Sequence, residues 1–398
     1  MSLANGRPYL AIPGPSVIPD AVLRAMHRAA PNIYTGELHE MMPELVADLK
    51  YVAQTEQHCA IYIANGHGGW EAALANMLSP GDAVLIPATG RFGHTWSDMS
   101  AALGVENRII DFGLRSPIDA ERVREALVED REHRIKAVLT VYVDTSTGIR
   151  NDLEALRRVL DETGHPALLV ADCIACMGCD RFEMDAWGVD VAITGSQKGL
   201  MTPPGLAFVF YNDKADRVRE NARCVTHYWD WRPRTDPVDF YRHFDGTAPT
   251  HHLFALRAAL DMIREEGLEQ VMRRHAILAR ALWAAFDGWG AEGPIEINMA
   301  DPAYRSHAVT AIRIGGDNGD RLRAWCEQKA GVTLGIGLGM APPGSPEAGG
   351  FFRVGHMGHI NAHMTMGLLG VIQAGLKALD IPHGPGGLDA AASVCAEA

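Results

Sequence analysis

A chain of 398 residues has room for two or three domains at roughly 150 residues each, and for a large buried core. Hydrophobic residues make up 47% and charged residues 21%, which excludes a fibrous or disordered chain, and a formal net charge of -13 argues against a nucleic-acid surface. No stretch approaches the roughly 18 consecutive apolar residues of a membrane span, and no basic-then-apolar leader opens the chain, so the cytoplasm is the expected compartment.

In chain order, apolar runs at 59–64, 83–87, 137–143, 167–171, 189–194 and 206–211 read as buried strands. Between them 70–78, 118–128 and 152–163 have helical spacing. Continuous apolar strands separated by helices predict an α/β fold with a mainly parallel sheet covered on both faces, and such sheets bind ligands at their strand ends. After residue 250 the pattern changes. Long helical stretches at 252–264 and 268–286 lead to strand-like 306–314, helical 320–331, strand-like 351–354 and helical 362–379, a smaller α+β domain. The expected organisation is an N-terminal segment at 1–15, a large domain at 16–265, a small C-terminal domain at 266–381 and a tail at 382–398. The run from Pro382 to Gly387 is linker chemistry, and the Ala-rich remainder is a weak helix or a frayed end.

Lys198 lies in Ile193-Thr194-Gly195-Ser196-Gln197-Lys198-Gly199, just past one apolar strand, and Asp172 ends another, 26 residues upstream. An amine and a carboxylate at neighbouring strand ends are the pair a pyridoxal 5'-phosphate enzyme needs: the amine forms a Schiff base, and the carboxylate keeps the pyridine nitrogen protonated. Asn65-Gly66-His67-Gly68-Gly69 joins a strand to a helix, where backbone amides and the helix dipole can hold a phosphate. Cys173, Cys176 and Cys179 have the spacing of an iron–sulfur ligand run but lack a fourth ligand, so they read as small reduced thiols beside the pocket. His356 and His359 are three residues apart without a third ligand in view, and a metal is not expected.

Pro13-Gly14-Pro15, Asn65-Gly66-His67-Gly68-Gly69-Trp70-Glu71, Asp144-Thr145-Ser146-Thr147-Gly148, Gly195-Ser196-Gln197-Lys198 and Phe352-Arg353-Val354-Gly355-His356-Met357-Gly358 together resemble the class V aminotransferases. The serine–glyoxylate and alanine–glyoxylate group is the most similar, and the likeness runs from about residue 10 to 380. The resemblance implies fold type I of the pyridoxal phosphate enzymes and a homodimer with active sites at the subunit interface. It implies that Lys198 carries the cofactor and Asp172 partners its pyridine nitrogen. Gly66, His67 and Gly68 would face the phosphate, with Gln197 adding a side-chain amide and Thr247 reaching across from the neighbouring subunit. Phe244 stands where some relatives have a tyrosine whose hydroxyl meets that phosphate, a departure that bears on one phosphate contact. Phe92 matches the aromatic residue stacked on the pyridine ring. Ser146, with Thr145 beside it, matches a hydroxyl near the cofactor's phenolic oxygen and the substrate. Arg353 matches the arginine that grips the substrate α-carboxylate, a task suited to its two-pronged geometry.

The implied reaction moves an amino group from a small amino acid, serine or alanine, to a 2-oxo acid, glyoxylate or pyruvate. Trp70 and the run Tyr228-Trp229-Asp230-Trp231 echo the serine-using branch. Pyridoxamine–pyruvate and ureidoglycine–glyoxylate aminotransferases are the alternatives, and Asp144, where many relatives have glutamate, leaves room for an unusual substrate. A cysteine desulfurase would need a nucleophilic cysteine on a mobile loop, whereas Cys326 falls in a helical pattern. A cofactor-binding regulator would need a DNA-binding module, and no basic helix-turn-helix segment is evident.

Overall fold

The molecule is described as a computed structural model over residues 2–398. A short strand, β1 (Tyr9–Ala11), and two helices, α1 (Asp20–Met26) and α2 (Glu37–Ala53), precede the large sheet. There β2 (His58–Tyr62), α3 (Gly66–Met77), β3 (Ala83–Ala88), α4 (Arg91–Ala102), β4 (Glu106–Asp111), α5 (Ala120–Glu129) and β5 (Ile135–Val141) alternate. A small hairpin, β6 (Val143–Asp144) and β7 (Ile149–Arg150), follows, then α6 (Leu153–Thr163), β8 (Leu168–Asp172), β9 (Val191–Gly195) and β10 (Ala207–Tyr211).

The seven large-sheet strands lie in the order β2-β10-β9-β8-β5-β3-β4, and only β10 runs against its neighbours. Every residue of β3, β8, β9 and β10 is buried, which is why these strands read as unbroken apolar runs. Strand β4 was not evident in the sequence. It is the edge strand, and its half-exposed Glu106-Asn107-Arg108 start has the charged character that protects sheet edges. Helix α4 escaped notice for a related reason, since it buries little beyond Gly93, Trp96, Ser97 and Ser100.

Register brings the chemistry to one edge. Tyr62 and Gly195 both lie opposite Ala207, and Val141 pairs with Asp172. The segments leaving β2, β3, β5, β8 and β9 therefore emerge together at the carboxyl ends of these strands.

Beyond β10 come α7 (Asp213–Arg219) and α8 (Arg232–Thr235), then α9 (Thr250–Glu266) and α10 (Leu268–Gly290). Helix α9 buries Leu253, Leu256 and Leu260 in the first core, while α10 runs on into a second core through Leu282, Phe286 and Trp289. That second core lies under a five-stranded sheet ordered β1-β13-β14-β12-β11, with β11 (Glu296–Ile297), β12 (Val309–Arg313), β13 (Val332–Ile336) and β14 (Phe351–Gly355). Helices α11 (Asn318–Ala330), α12 (Ala362–Ala378) and α13 (Gly387–Ala396) complete it. Two terminal segments thus join the small domain: β1 pairs in parallel with β13, and Ala11 and Ala391 both lie in its core.

Candidate active site

Strand β8 ends on Asp172, whose Oδ1 accepts the Ile174 N–H at 2.7 Å. Three residues past the end of β9, the Lys198 amine donates to the Pro13 carbonyl. Gly14 has φ +96°, and a Cβ there would sit 2.6 Å from Lys198 Cδ, so glycine is required both by conformation and by the lysine stem. A cavity of about 200 Å³ opens between the two strand ends. Its wall includes Gly66, His67, Trp70, Phe92, Thr145, Asp172, Ile174, Gln197 and Lys198, so most of the residues singled out in the sequence converge.

Electrostatics prepare both ionisable groups. Burial pushes the Lys198 amine down to about 8, the charge of Arg353 adds to this, and Asp172 opposes it. Burial likewise pushes the Asp172 carboxyl up to about 7 against the Ile174 N–H, with Asp144 raising it further and Lys198 holding it back. The Trp70 indole also favours the charged carboxylate, yet its Nε1 makes no hydrogen bond of full geometry. We therefore read it as a donor aimed toward Asp172 and not bonded to it. Gln197 Oε1 is a second buried atom on this wall without a partner. Two unpartnered polar atoms, a neutralisable amine and an opposed carboxylate fit a polar aromatic ligand bound at the strand ends.

The loop from β2 enters α3 through Asn65, whose side-chain oxygen accepts the His67 and Gly68 N–H groups at 3.1 and 3.3 Å. This N-cap was not singled out in the sequence, although Asn before a Gly-rich helix start is its signature. It commits the Gly68 amide locally, and Gly68 does not line the cavity. A Cβ on Gly66 would collide with Ile174, so the close approach of α3 to the pocket depends on that glycine.

Phe92 is placed by the turn after β6. Asp144 Oδ2 accepts the Phe92 N–H at 2.9 Å, and Ser146 Oγ accepts the Arg91 N–H at 3.0 Å. Ser146 Oγ in turn donates to Asp144 Oδ1 at 2.5 Å. The expectation that Ser146 faces the ligand needs correcting, because the residue is fully buried, its hydroxyl is spent on Asp144, and it is Thr145 that lines the cavity.

Arg353 sits beside the cavity, on β14, and not on its wall. Its Nε donates to the Ile336 carbonyl at 2.6 Å and its Nη1 to the Thr145 carbonyl at 2.7 Å, tying the small domain to the Asp144–Ser146 turn. Burial lowers its affinity for the proton to about 10, with Asp144 opposing, and it stays charged at neutral pH. One Nη1 hydrogen and both Nη2 hydrogens remain, which permits an end-on grip on a carboxylate.

Thr247 is not brought to this cavity and is exposed, while Phe244 is buried. Cys173, Cys176 and Cys179 are buried free thiols, and burial raises all three. His356 is committed to the His307 carbonyl and Thr310, and among the described residues no group of three His, Cys, Asp or Glu side chains is placed to hold a metal.

A lysine and a carboxylate facing each other at the strand ends of a seven-stranded sheet, with a small mixed domain alongside, define a fold type I transferase. Residues 9–348 match the family model for class V aminotransferases. The chain belongs to that family and is an aminotransferase. It is 35% identical over 396 residues to the serine–glyoxylate aminotransferase of Methylorubrum extorquens, covering 98% of this chain and 96% of that one. It is 34% identical over 379 residues to the L-aspartate–glyoxylate aminotransferase of Paracoccus denitrificans, covering 93% and 91%. The ureidoglycine–glyoxylate aminotransferase structure from Bacillus subtilis is similar at a TM-score of 0.87 and 26% identity, covering 99% of this chain and all of that one. No helix among the described residues is long and apolar enough to cross a membrane.

Proposed function

We propose that the protein is a cytoplasmic, homodimeric aminotransferase that binds pyridoxal 5'-phosphate and moves the amino group of a small amino acid, serine or alanine, to glyoxylate. The observation that carries this reading is the opposition of Lys198 and Asp172 across one cavity. Bound pyridoxal phosphate supplies an electron sink that acidifies the substrate Cα–H. Lys198 would hold it covalently, and its freed amine would take that proton on Nζ. An amine that titrates near 8 is sufficiently neutral at physiological pH to serve as the base. Asp172 would keep the pyridine nitrogen protonated, and Phe92 would cover the ring. The Gly66 amide and the Gln197 side chain would face the phosphate at the α3 N-terminus beside His67, whose N–H is held by Asn65, joined by Thr247 of the second subunit. Arg353 orients the substrate through its free guanidinium edge, and Thr145 rather than Ser146 offers a hydroxyl to the reacting groups. Two named relatives share glyoxylate as acceptor, which supports that half of the assignment.

The experiment is a single-turnover panel: purified holoenzyme is mixed with each amino acid, and loss of the cofactor's visible band is followed. Serine or alanine should react fastest, and glyoxylate should restore the band. A protein that reacts with neither donor, or whose band only pyruvate restores, contradicts the assignment.

A further inference from the structure

Arg91 begins α4, immediately before Phe92. Its position is set by the backbone, since its N–H is held by Ser146 Oγ at 3.0 Å while the next N–H is held by Asp144 at 2.9 Å. The side chain then runs along Gly339, where an added Cβ would lie 2.8 Å from Arg91 Cβ and 3.3 Å from its Cδ. Gly339 belongs to the turn that follows Ile336, whose carbonyl accepts from Arg353. Two arginines therefore flank one small-domain turn. Arg353 is buried and pinned by two carbonyls.

Arg91 differs in every respect that matters for recognition. It is exposed, and among the described residues no carboxylate pairs with its guanidinium and no acceptor bonds it. The carboxylate beside this turn, Asp144, is taken by the Phe92 and Ser146 N–H groups and the Ser146 hydroxyl, and Asp111 faces His94 at 3.3 Å. Arg91 does not itself line the cavity, but Phe92, next in the chain, does, with its ring centroid 6.5 Å from that of His67, another residue of the wall. A free guanidinium beside the opening of a site that already has an arginine for the α-carboxylate is suited to a second carboxylate on the same substrate.

We propose that Arg91 reads the distal carboxylate of a short dicarboxylic amino donor, so that the donor range extends from serine and alanine to aspartate. The inference rests on the proposed aminotransferase function and deepens it. It assigns specificity to a residue outside the Lys198–Asp172 chemistry, and it gives Gly339 a reason: any side chain there would push the Arg91 stem away from the opening.

The test compares kcat/KM for L-aspartate and L-serine, with glyoxylate as acceptor, in the wild type, Arg91→Gln and Arg91→Lys. A second readout is inhibition by maleate, an unreactive dicarboxylate, against inhibition by acetate. In Arg91→Gln the aspartate-to-serine ratio should fall about ten- to a hundredfold, the size expected for one charge-assisted hydrogen bond, and maleate should lose affinity relative to acetate. Arg91→Lys should recover part of both. A wild type that uses serine but not aspartate overturns the proposal and leaves the aminotransferase reading intact. A ratio unchanged in Arg91→Gln overturns it equally, as does parallel loss with both donors. If the wild type uses no donor at all, the underlying function fails instead.

Discussion

The floor of the cavity and its opening are built differently. At the floor Asp172 and Trp70 are buried and Lys198 is half-buried, all on or just beyond strands and a helix of one sheet layer. At the opening two separate contacts cross between the domains: Arg353 bonds the Thr145 carbonyl, and the Arg91 stem runs along Gly339. The floor can therefore hold one chemistry rigidly, while the opening can change its ligand by single substitutions. Rigid elements place reactive groups and loops choose the substrate.

If that division is right, floor substitutions should damage every donor alike. Lys198→Ala should have the largest effect and abolish transamination with all donors; residual turnover that depends on the donor would break the distinction. Asp172→Asn comes next, keeping the cofactor but losing most activity, because an amide cannot hold the pyridine nitrogen protonated. The same variant has a second signature in cofactor-free protein. The folded carboxyl titrates near 7, well above an ordinary aspartate, so its contribution to stability is complete in acid, below the ordinary carboxylate range, and is lost as pH rises through 7. Apo Asp172→Asn should accordingly melt higher than apo wild type at pH 8, by an amount on the order of a few kcal/mol, with the gap closing toward pH 4. Melting curves at the two pH values decide it.

Opening substitutions should be graded and donor-dependent. Arg353→Lys should cut kcat/KM for amino acids about ten- to a hundredfold, since a point charge cannot span two oxygens. A pyridoxamine half-reaction, which has no α-carboxylate to grip, should be affected far less. Equal loss in both would make Arg353 only the domain tie seen in its bonds to Ile336 and Thr145. The smallest effect is expected at the cap: Asn65→Ala should cost about 1 kcal/mol of stability, read by denaturant titration. Donor preference should not move, because both amides it caps are held by Asn65 within the start of α3.

The same division explains what the sequence made legible. Strand-end residues announce themselves through the apolar runs that precede them, so Lys198 and Asp172 could be read directly, as could the buried strands carrying them. Ser146 and Thr145 could not be told apart, because neighbours in a turn point to opposite sides and only the hydroxyl's commitment to Asp144 decides between them. Arg91 and Gly339 are 248 residues apart, and nothing in their local sequence announces the contact. The β1 strand was likewise hidden, three residues whose only partner is β13 at the far end of the chain.

The measurement closest to the central claim is borohydride reduction of the holoenzyme followed by peptide mass mapping. The cofactor mass should be found on Lys198 alone, and the rate at which apoenzyme captures pyridoxal phosphate should rise with pH through about 8, as the amine loses its proton. Recovery of that mass on any other lysine would contradict the account.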